Sequence, residues 1–328
     1  MTSQSAPDLS MIHAAAGRLR GHARVTPLLN APLLDRIAGR RIFVKAECLQ
    51  RGGSFKFRGA WSALTALDPA TRARGVIAFS SGNHAQGVAL AAALQNVAAV
   101  IIMPSDAPAI KIANTRAYGA EVVLYDRLTQ DRDAIGAEMA AQRGLTLIKP
   151  YDDPLVIAGQ GTIGLEIARQ AAELGIEAAT VVTCCGGGGL TAGIALALEG
   201  TPFRVRPAEP AGFDDTARSL MSGRHERNAA LSGSVCDAIV TPTPGQITFP
   251  VLQRLCGAGL VVTDDQALHA MALAFTHLRI VVEPGGAVAL AAAVMGTDLP
   301  ETVICTASGG NVDPALFAAC LQRFCDRS

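Results

Sequence analysis

The fold class follows from the stretch ATVVTCCGGGGL, residues Ala179 to Leu190. Its first six residues form a continuous apolar run, which is typical of a strand buried on both faces of a sheet. Four glycines follow, and the segment Thr191–Leu198 after them has the composition of a helix. A strand, a glycine turn and a helix in this order predict an α/β protein with a parallel sheet.

The same alternation of strand and helix continues along the chain from Arg41 onward. The predicted strands are Arg41–Glu47, Gly75–Ser80, Ala98–Met103, Glu121–Tyr125, Leu145–Ile148, Ala179–Cys184, Arg204–Ala208 and Thr302–Thr306. The predicted helices include Asn83–Leu94, Thr129–Arg143, Leu155–Leu174 and Asp313–Phe324. Apolar strands that alternate with helices predict parallel-rich sheets flanked by helices.

The predicted domain boundary lies near Lys149-Pro150, where a strand ends and a long helical region begins. We predict a small domain over residues 69–149 and a large domain over residues 1–68 and 150–328. After Asn311 the pattern leaves room for one helix, so a separate C-terminal domain is not expected.

Composition excludes several classes of protein. Of the 328 residues, 50% are hydrophobic and 17% are charged, and 28 basic residues balance 28 acidic ones. Without a basic run, neither nucleic acid nor an anionic membrane is an expected partner. Residues 1–10 lack the pattern of a signal peptide, and no apolar stretch reaches the length of a membrane span. The eight cysteines contain no Cys-x-x-Cys pair, so we interpret them as small apolar residues of a cytoplasmic protein.

The glycine loop, residues 186–189, is a candidate anion site. Successive glycines let backbone N–H groups point inward, and the following helix N-terminus adds positive potential, which suits a phosphate. The loop lacks the Gly-Lys-Ser/Thr ending of a P-loop and the spacing of a dinucleotide-binding fingerprint. The residues of this predicted site are Gly186, Gly187, Gly188, Gly189 and Leu190.

Two further polar turns follow predicted strands. The first suits a carboxylate, although ordinary helix capping explains part of it, and it consists of Ser80, Ser81, Gly82, Asn83 and His84. The second begins at Ser308, after the strand Thr302–Thr306. Because the carboxyl ends of parallel strands meet at one edge, these turns and the glycine loop should converge on one cleft.

Lys56 lies between Phe55 and Phe57, directly after a glycine turn. Burial lowers the pKa of an amine, and a neutral amine is the nucleophile that attacks an aldehyde. Taken alone, the segment favours instead a lysine whose stem packs on apolar neighbours while its head stays in water.

Taken together, these motifs resemble fold-type II pyridoxal-phosphate enzymes, above all the serine/threonine dehydratase and serine racemase group. The segments Ile157–Thr162, Tyr118–Ala120 and Val282–Pro284 also fit, and the resemblance extends from about Arg24 to Asp313. It implies a two-lobed fold like that of the tryptophan synthase β chain, pyridoxal phosphate as cofactor and a homodimer.

The resemblance also implies a role for each motif. Lys56 binds the cofactor covalently and later removes the substrate Cα proton, while Phe55 packs against the ring and Asn83 bonds to its 3′-oxygen. Ser308 faces the pyridine nitrogen, the glycine loop with Leu190 holds the phosphate, and residues 80–84 bind the substrate carboxylate. A neutral serine leaves the ring a weaker electron sink than a carboxylate would, which favours expulsion of a β-substituent. The predicted reaction is the elimination of water from a β-hydroxy amino acid, giving a 2-oxo acid and ammonia.

A second group of residues resembles the divalent-cation site of the racemase group. Glu209 and Asp215 would be carboxylate ligands with the Phe213 carbonyl between them, and such oxygen ligands suit Mg²⁺ or Ca²⁺. An acidic loop that caps the helix beginning near Asp214 is the alternative interpretation.

Two residues bear on the substrate, for which threonine or serine is the first expectation. Ser81 stands where threonine dehydratases usually have alanine and serine racemases have a catalytic serine. Arg132 resembles a position near the active site of racemases, where a guanidinium suits a second carboxylate, although a solvated helix arginine fits as well. The alternatives are therefore a 3-hydroxyaspartate dehydratase that yields oxaloacetate, a serine racemase, a β-replacement synthase and a non-catalytic binder of the cofactor.

Overall fold

The computed structural model describes residues 6–80, 82–107, 109–126 and 129–325. In these ranges the larger sheet has six strands: β1 (Leu28–Leu29), β2 (Arg41–Lys45), β7 (Ala179–Cys184), β8 (Phe203–Pro210), β9 (Leu260–Val262) and β10 (Thr302–Thr306). Their spatial order is β1-β2-β10-β7-β8-β9. All neighbours run parallel apart from β1, which pairs antiparallel with β2.

The second sheet has four parallel strands in the order β5-β4-β3-β6. Its strands are β3 (Val76–Phe79), β4 (Ala99–Pro104), β5 (Glu121–Tyr125) and β6 (Thr146–Leu147). This sheet lies within the predicted small domain; the division into domains itself stays a prediction.

Helices surround both sheets. They are α1 (Leu9–Leu19), α2 (Pro32–Ala38), α3 (Lys56–Ala66), α4 (Pro69–Arg74), α5 (Asn83–Leu94), α6 (Ala109–Ala117), α7 (Arg132–Arg143), α8 (Pro154–Glu173), α9 (Gly189–Ala197), α10 (Asp215–Ser222), α11 (Thr248–Leu255), α12 (Asp264–Leu273), α13 (Pro284–Met295) and α14 (Pro314–Cys325). Short 3₁₀ turns cover Glu47–Leu49, Arg51–Gly53 and Asp237–Ile239, and a π-helical turn covers Ala274–Leu278.

The six-stranded sheet is covered on both faces, as the continuous apolar strands predict. Val182 packs with the buried helices α12 and α13 on one face, whereas its neighbour Val181 packs with α8 and α9 on the other. The predicted α/β fold class is confirmed. Strands β1 and β9 were not predicted, because two or three residues are too short to show a period.

Three buried charges, Lys45, Glu47 and Arg58, and the half-buried Glu166 join β2 to the two helices α3 and α8. Arg58 of α3 donates Nε and Nη2 to the two oxygens of Glu47, each at 2.8 Å. Its Nη1 donates to Glu166 of α8 at 2.7 Å, and Lys45 at the end of β2 donates to the same carboxylate at 2.6 Å. Burial alone would lower the pKa of Arg58, but the two glutamates raise it above its usual value. These contacts fix α3, which begins at Lys56.

The sequence predicts that the cysteines are small apolar residues and that no segment spans a membrane. The seven cysteines whose side chains are described are free, and all but Cys256 are buried. Among the helices of the described residues, none is long and apolar enough to cross a bilayer.

Removing Arg58 should destabilise the fold strongly. Arg58→Ala leaves the buried Glu47 carboxylate without its cationic partner, which costs about 3–5 kcal/mol for a broken buried pair, whereas Glu166 keeps Lys45 as a partner. Urea unfolding followed by circular dichroism measures the change. The matched control is Arg143→Ala, because the Arg143–Glu121 pair is solvent-exposed and should contribute little. Equal effects at the two positions would contradict the proposed importance of the buried cluster.

Candidate active site

A cavity of about 1070 Å³ lies where the carboxyl ends of strands from both sheets meet. Most of the residues predicted for the cofactor and the substrate line it. They are Phe55, Lys56, Ser80, Gly82, Asn83, His84, Arg132, Gly186, Gly187, Gly188, Gly189, Leu190 and Ser308. Ser81 lies outside the described residues. The predicted cation ligands Glu209, Phe213 and Asp215 are not among the residues that line the cavity.

Lys56 is the first residue of α3 and points its amine into this cavity. Its Nζ donates to the Pro150 carbonyl oxygen at 2.7 Å and lies 5.1 Å from the centre of the Phe55 ring. Burial lowers the pKa of this amine to about 8. A substantial fraction is therefore neutral near physiological pH, as a nucleophile and base requires.

Backbone hydrogen bonds tie the segment before Lys56 to the turn that contains Ser308. Ser54 pairs with Gly309 in an antiparallel bridge, and the Phe55 N–H donates to the Ser308 carbonyl at 3.1 Å. Lys56 and Ser308 therefore belong to one connected unit, although they lie far apart in the chain.

Asn83 is held in a fixed orientation at the start of α5. Its Oδ1 accepts a hydrogen bond from Asn311 Nδ2 at 2.7 Å, and its own Nδ2 donates to Glu283. Burial raises the pKa of Glu283. Glu283 has no role in the sequence analysis, although its place before Pro284 at the start of α13 is the signal that could have found it.

His84 lines the cavity as a neutral ring. Its Nε2 donates to the Ile148 carbonyl oxygen at 2.8 Å. Burial, followed by the nearby charge of Lys56, lowers the pKa of His84 to about 3. A ring that stays neutral at physiological pH cannot supply a positive charge to a carboxylate, so it contributes shape and a hydrogen-bonding edge.

The glycine loop is held by α11 and by the segment before it. The Gly187 carbonyl accepts Thr248 Oγ1 at 2.7 Å and the Gly245 N–H at 3.2 Å. Gly188 adopts a left-handed φ of 89°, and α9 begins directly after it. The first N–H groups of α9 have no carbonyl partner within their own helix. They can therefore donate hydrogen bonds to an anion bound at this end of the helix.

Tyr151 and Asp152 complete this part of the site and were missed by the sequence analysis. A Cβ on Gly187 would come within 2.3 Å of the Tyr151 ring, so the ring requires glycine there. Asp152 accepts the N–H groups of Gln246 and Ile247 at 3.1 and 2.8 Å, ahead of α11. Both residues follow Pro150 directly after a predicted strand, and that position is the signal that could have identified them.

Arg132 lies on the cavity because α7 approaches β3 closely. Gly136 of α7 packs on Phe79, since a Cβ at Gly136 would lie 2.0 Å from that ring. Arg132 is one turn before Gly136 on the same helix face, and Ser80 follows Phe79. Arg132, which is solvent-exposed, therefore lines the same cavity as the loop predicted to bind the substrate carboxylate. Lys149 and Lys111 also line the cavity.

The two predicted carboxylate ligands of the cation lie close to each other and outside the cavity lining. Glu209 accepts the N–H groups of Thr216 and Ala217 at 3.0 and 2.7 Å, so it caps α10. Burial, then the charge of Asp215, raises the pKa of Glu209 to about 8; burial raises that of Asp215 to about 6. Asp215 Oδ2 is buried and has no hydrogen-bond partner among the described residues.

Comparison with known proteins decides the family. A model of the pyridoxal-phosphate dependent enzymes matches residues 19–310. The chain belongs to this family. Its cofactor is pyridoxal phosphate, and the prediction of a dehydratase or ammonia-lyase is confirmed at family level.

Three relatives illustrate the similarity. The L-threo-3-hydroxyaspartate ammonia-lyase of Pseudomonas sp is 42% identical over 94% of this chain and 96% of the relative. The crystal structure of the T.th. threonine deaminase is 44% identical and superposes with a TM-score of 0.88 over 94% and 99% of the two chains. Maize serine racemase is 32% identical and superposes with a TM-score of 0.89 over 98% and 99%.

The residues present fit pyridoxal phosphate. A half-buried lysine of lowered pKa, a glycine loop at a helix N-terminus and a neutral serine line the same cavity. When bound, the cofactor would be held by Lys56, the glycine loop and Asn83, with Ser308 at the ring nitrogen. These individual roles stay predictions.

Replacing Gly187 should weaken cofactor binding. The Cβ of Gly187→Ala forces either the glycine loop or the Tyr151 ring to move, so we expect the dissociation constant for pyridoxal phosphate to rise roughly tenfold or more. Fluorescence or absorbance titration of the apoprotein measures it. Gly17→Ala on α1 is the control, because its Cβ meets nothing within 4 Å. Adding Tyr151→Ala should restore part of the loss; an unchanged affinity in Gly187→Ala would contradict the steric argument.

Proposed function

We propose that the protein is a 3-hydroxyaspartate ammonia-lyase, which eliminates water from its substrate to give oxaloacetate and ammonia. The observation behind this choice is the position of Arg132 on the wall of the active-site cavity. The packing of Gly136 on Phe79 brings Arg132 to the carboxyl end of β3, where the substrate carboxylate would lie.

The cavity can bind both carboxylates of such a substrate. The loop of Ser80, Gly82 and Asn83 at the N-terminus of α5 suits the α-carboxylate, because backbone donors and the helix dipole favour an anion there. Arg132 would bind the second carboxylate through its planar fork of donors. Lys149 is solvent-exposed and lines the same cavity, where it adds a second positive charge. Threonine and serine have no second carboxylate and would not use these cations.

The chain supplies a base and fixed donors for the elimination. Bound pyridoxal phosphate withdraws electrons from the substrate Cα and so makes its proton acidic. Lys56, whose pKa is about 8, can accept that proton and keep it near the leaving group. Breakage of the Cβ–O bond releases water once the hydroxyl is protonated. The released enamine then takes up one water, giving the 2-oxo acid and ammonia.

Among the relatives, the 42% identical Pseudomonas protein is named for L-threo-3-hydroxyaspartate, which supports the proposal. The similar T.th. protein is named a threonine deaminase, so threonine is the competing substrate. The serine racemase alternative depends on Ser81, which lies outside the described residues.

Steady-state kinetics should identify the substrate. We expect kcat/KM for one 3-hydroxyaspartate diastereomer to exceed that for threonine and serine. Arg132→Ala should lower that kcat/KM roughly 10- to 100-fold, because a charged hydrogen bond is lost. It should alter threonine turnover by less than about threefold, since threonine does not use the guanidinium. Ammonia release coupled to glutamate dehydrogenase measures each rate.

Two control variants make the result specific. Arg143→Ala removes an arginine from the other end of α7 and should leave all the rates unchanged. Lys56→Ala should abolish both turnover and the visible absorbance of lysine-bound cofactor. Equal loss for dicarboxylate and threonine in Arg132→Ala would overturn the proposed specificity, and no ammonia from any hydroxy amino acid would indicate a non-catalytic binder.

We also propose that Glu209 and Asp215, with the Phe213 carbonyl, bind Mg²⁺ or Ca²⁺. Two adjacent buried carboxyl groups with raised pKa values are stabilised by a shared cation, and Asp215 Oδ2 has its lone pairs available. The described residues contain no cluster of three or more His, Cys, Asp or Glu ligands. Carbonyl and water oxygens would therefore complete the coordination, as hard cations accept.

Removal of the cation with a chelator tests for this site. After treatment with EDTA and gel filtration, the thermal unfolding midpoint should fall, and added Mg²⁺ or Ca²⁺ should restore it, because a ligand of the native state stabilises it. Asp215→Asn should abolish this response, whereas the exposed control Asp298→Asn should retain it. A midpoint indifferent to both chelator and cation would exclude the site.

We further propose a cytoplasmic homodimer. The free, mostly buried thiols suit a reducing compartment. The homodimer rests on the family resemblance, and light scattering after gel filtration would determine the mass in solution.

A further inference from the structure

The segment between α10 and α11 connects the carboxyl pair to the active-site cavity. Residues 224–247 contain one short 3₁₀ turn and otherwise no helix or strand. Its later part, residues 241–246, lines the cavity throughout. We call residues 241–246 the cavity wall segment.

Asn228 links α10 to the cavity wall segment. Its Nδ2 donates to Asp215 Oδ1 at 2.5 Å and to the Thr241 carbonyl at 2.8 Å. Its Oδ1 accepts from Arg218 Nη2 at 2.6 Å, and its backbone N–H donates to the Pro242 carbonyl at 3.0 Å. One asparagine therefore joins the Asp215 carboxylate to two consecutive residues of the cavity wall segment.

The same segment then reaches the glycine loop. Three residues after Pro242, the Gly245 N–H donates to the Gly187 carbonyl, and Thr248 Oγ1 donates to that oxygen as well. Asp215 is thus connected to the loop predicted to hold the cofactor phosphate. The connection consists of the hydrogen bonds of Asn228, the residues from Thr241 to Gly245 and the hydrogen bond from Gly245 to Gly187. Thr241 Oγ1 is buried and makes no hydrogen bond within the described residues, so the hydroxyl does not anchor the segment.

We propose that Asn228 is a positioning residue, which holds the cavity wall segment against the glycine loop and transmits to it any displacement of the Asp215 carboxylate. Asn228 does not line the cavity and so would act through Thr241 and Pro242. A cation bound at Asp215 Oδ2 would shift the carboxylate whose Oδ1 accepts from Asn228, and this shift would move the cavity wall segment.

The affinities for pyridoxal phosphate and for the amino-acid substrate distinguish a positioning role of Asn228 from a purely structural one. In Asn228→Ala the dissociation constant for pyridoxal phosphate and the KM for the amino-acid substrate should each rise roughly tenfold, since hydrogen bonds to a charged group and to the backbone are lost. The kcat at saturation should fall less than about threefold, because Lys56 and its supporting contacts lie on other elements. Asn228→Asp cannot donate to Asp215 or Thr241 and should behave like Asn228→Ala.

The matched control is Gln253→Ala. This carboxamide on α11 donates to the Gly223 carbonyl at 3.2 Å and, among the described residues, makes no hydrogen bond to Asp215 or to the cavity wall segment. It should leave both the affinity for pyridoxal phosphate and the KM unchanged. Unchanged affinities in Asn228→Ala, or a fall in the thermal midpoint and kcat with KM and cofactor affinity intact, would overturn the proposal.

The test of the positioning role is independent of the substrate and cation proposals, whereas the test of transmission uses added Mg²⁺. Cofactor affinity is measured without substrate, and KM is measured with whichever hydroxy amino acid is turned over. If wild-type cofactor affinity responds to added Mg²⁺, the response should disappear in Asn228→Ala, and its persistence would refute transmission through Asn228. If the wild type does not respond, transmission of a cation's state is refuted, while the affinities still decide whether Asn228 positions the cavity wall segment.

Discussion

The hydrogen bonds of the Arg58 guanidinium fix the position of Lys56, the predicted catalytic residue. It bridges Glu47, beside β2, and Glu166 of α8, and it lies two residues after Lys56 in the first turn of α3. Buried charges stabilise a structure only when every donor and acceptor is matched, as they are in this cluster. The rotation of α3 about its axis is therefore fixed, and with it the direction in which Lys56 leaves the helix.

Sheet topology places the remaining groups around that amine. Strand β10 lies between β2 and β7, so the turn of Ser308 is a spatial neighbour of both the Lys56 segment and the glycine loop. The bridge between Ser54 and Gly309 joins the Lys56 segment directly to that turn. A ring bound between Lys56 and Ser308 would thus rest on groups whose spacing is set by backbone hydrogen bonds rather than by flexible side chains.

The sequence predicted the elements whose signal is local. Strand β7, the glycine loop and helix α5 were predicted, because apolar runs and glycine turns mark them in the sequence. Tyr151 and Asp152 were missed although they follow a predicted strand, because their contacts with the glycine loop and with the segment before α11 are made between parts of the chain that are distant in sequence. Asn228 was missed because its contacts are likewise distant and no local pattern marks it. The sequence identified Arg132 but could not distinguish an arginine that binds substrate from a solvated helix arginine. Its position on the cavity depends on the close approach of Gly136 to Phe79, which the sequence does not show.

The proposed roles in substrate recognition and in cofactor binding share one irregular segment. Lys111 of α6 pairs with Asp237 at 3.5 Å, so residues 228–246 contact a helix of the four-stranded sheet as well as the glycine loop. Arg132 and the loop predicted to bind the substrate carboxylate also follow strands of that sheet, whereas Lys56 is fixed to the other. In the proposed mechanism, contacts across this segment would therefore set the distance between Lys56 and the groups that bind the substrate. A residue that anchors it can change affinity for substrate and cofactor together without touching either.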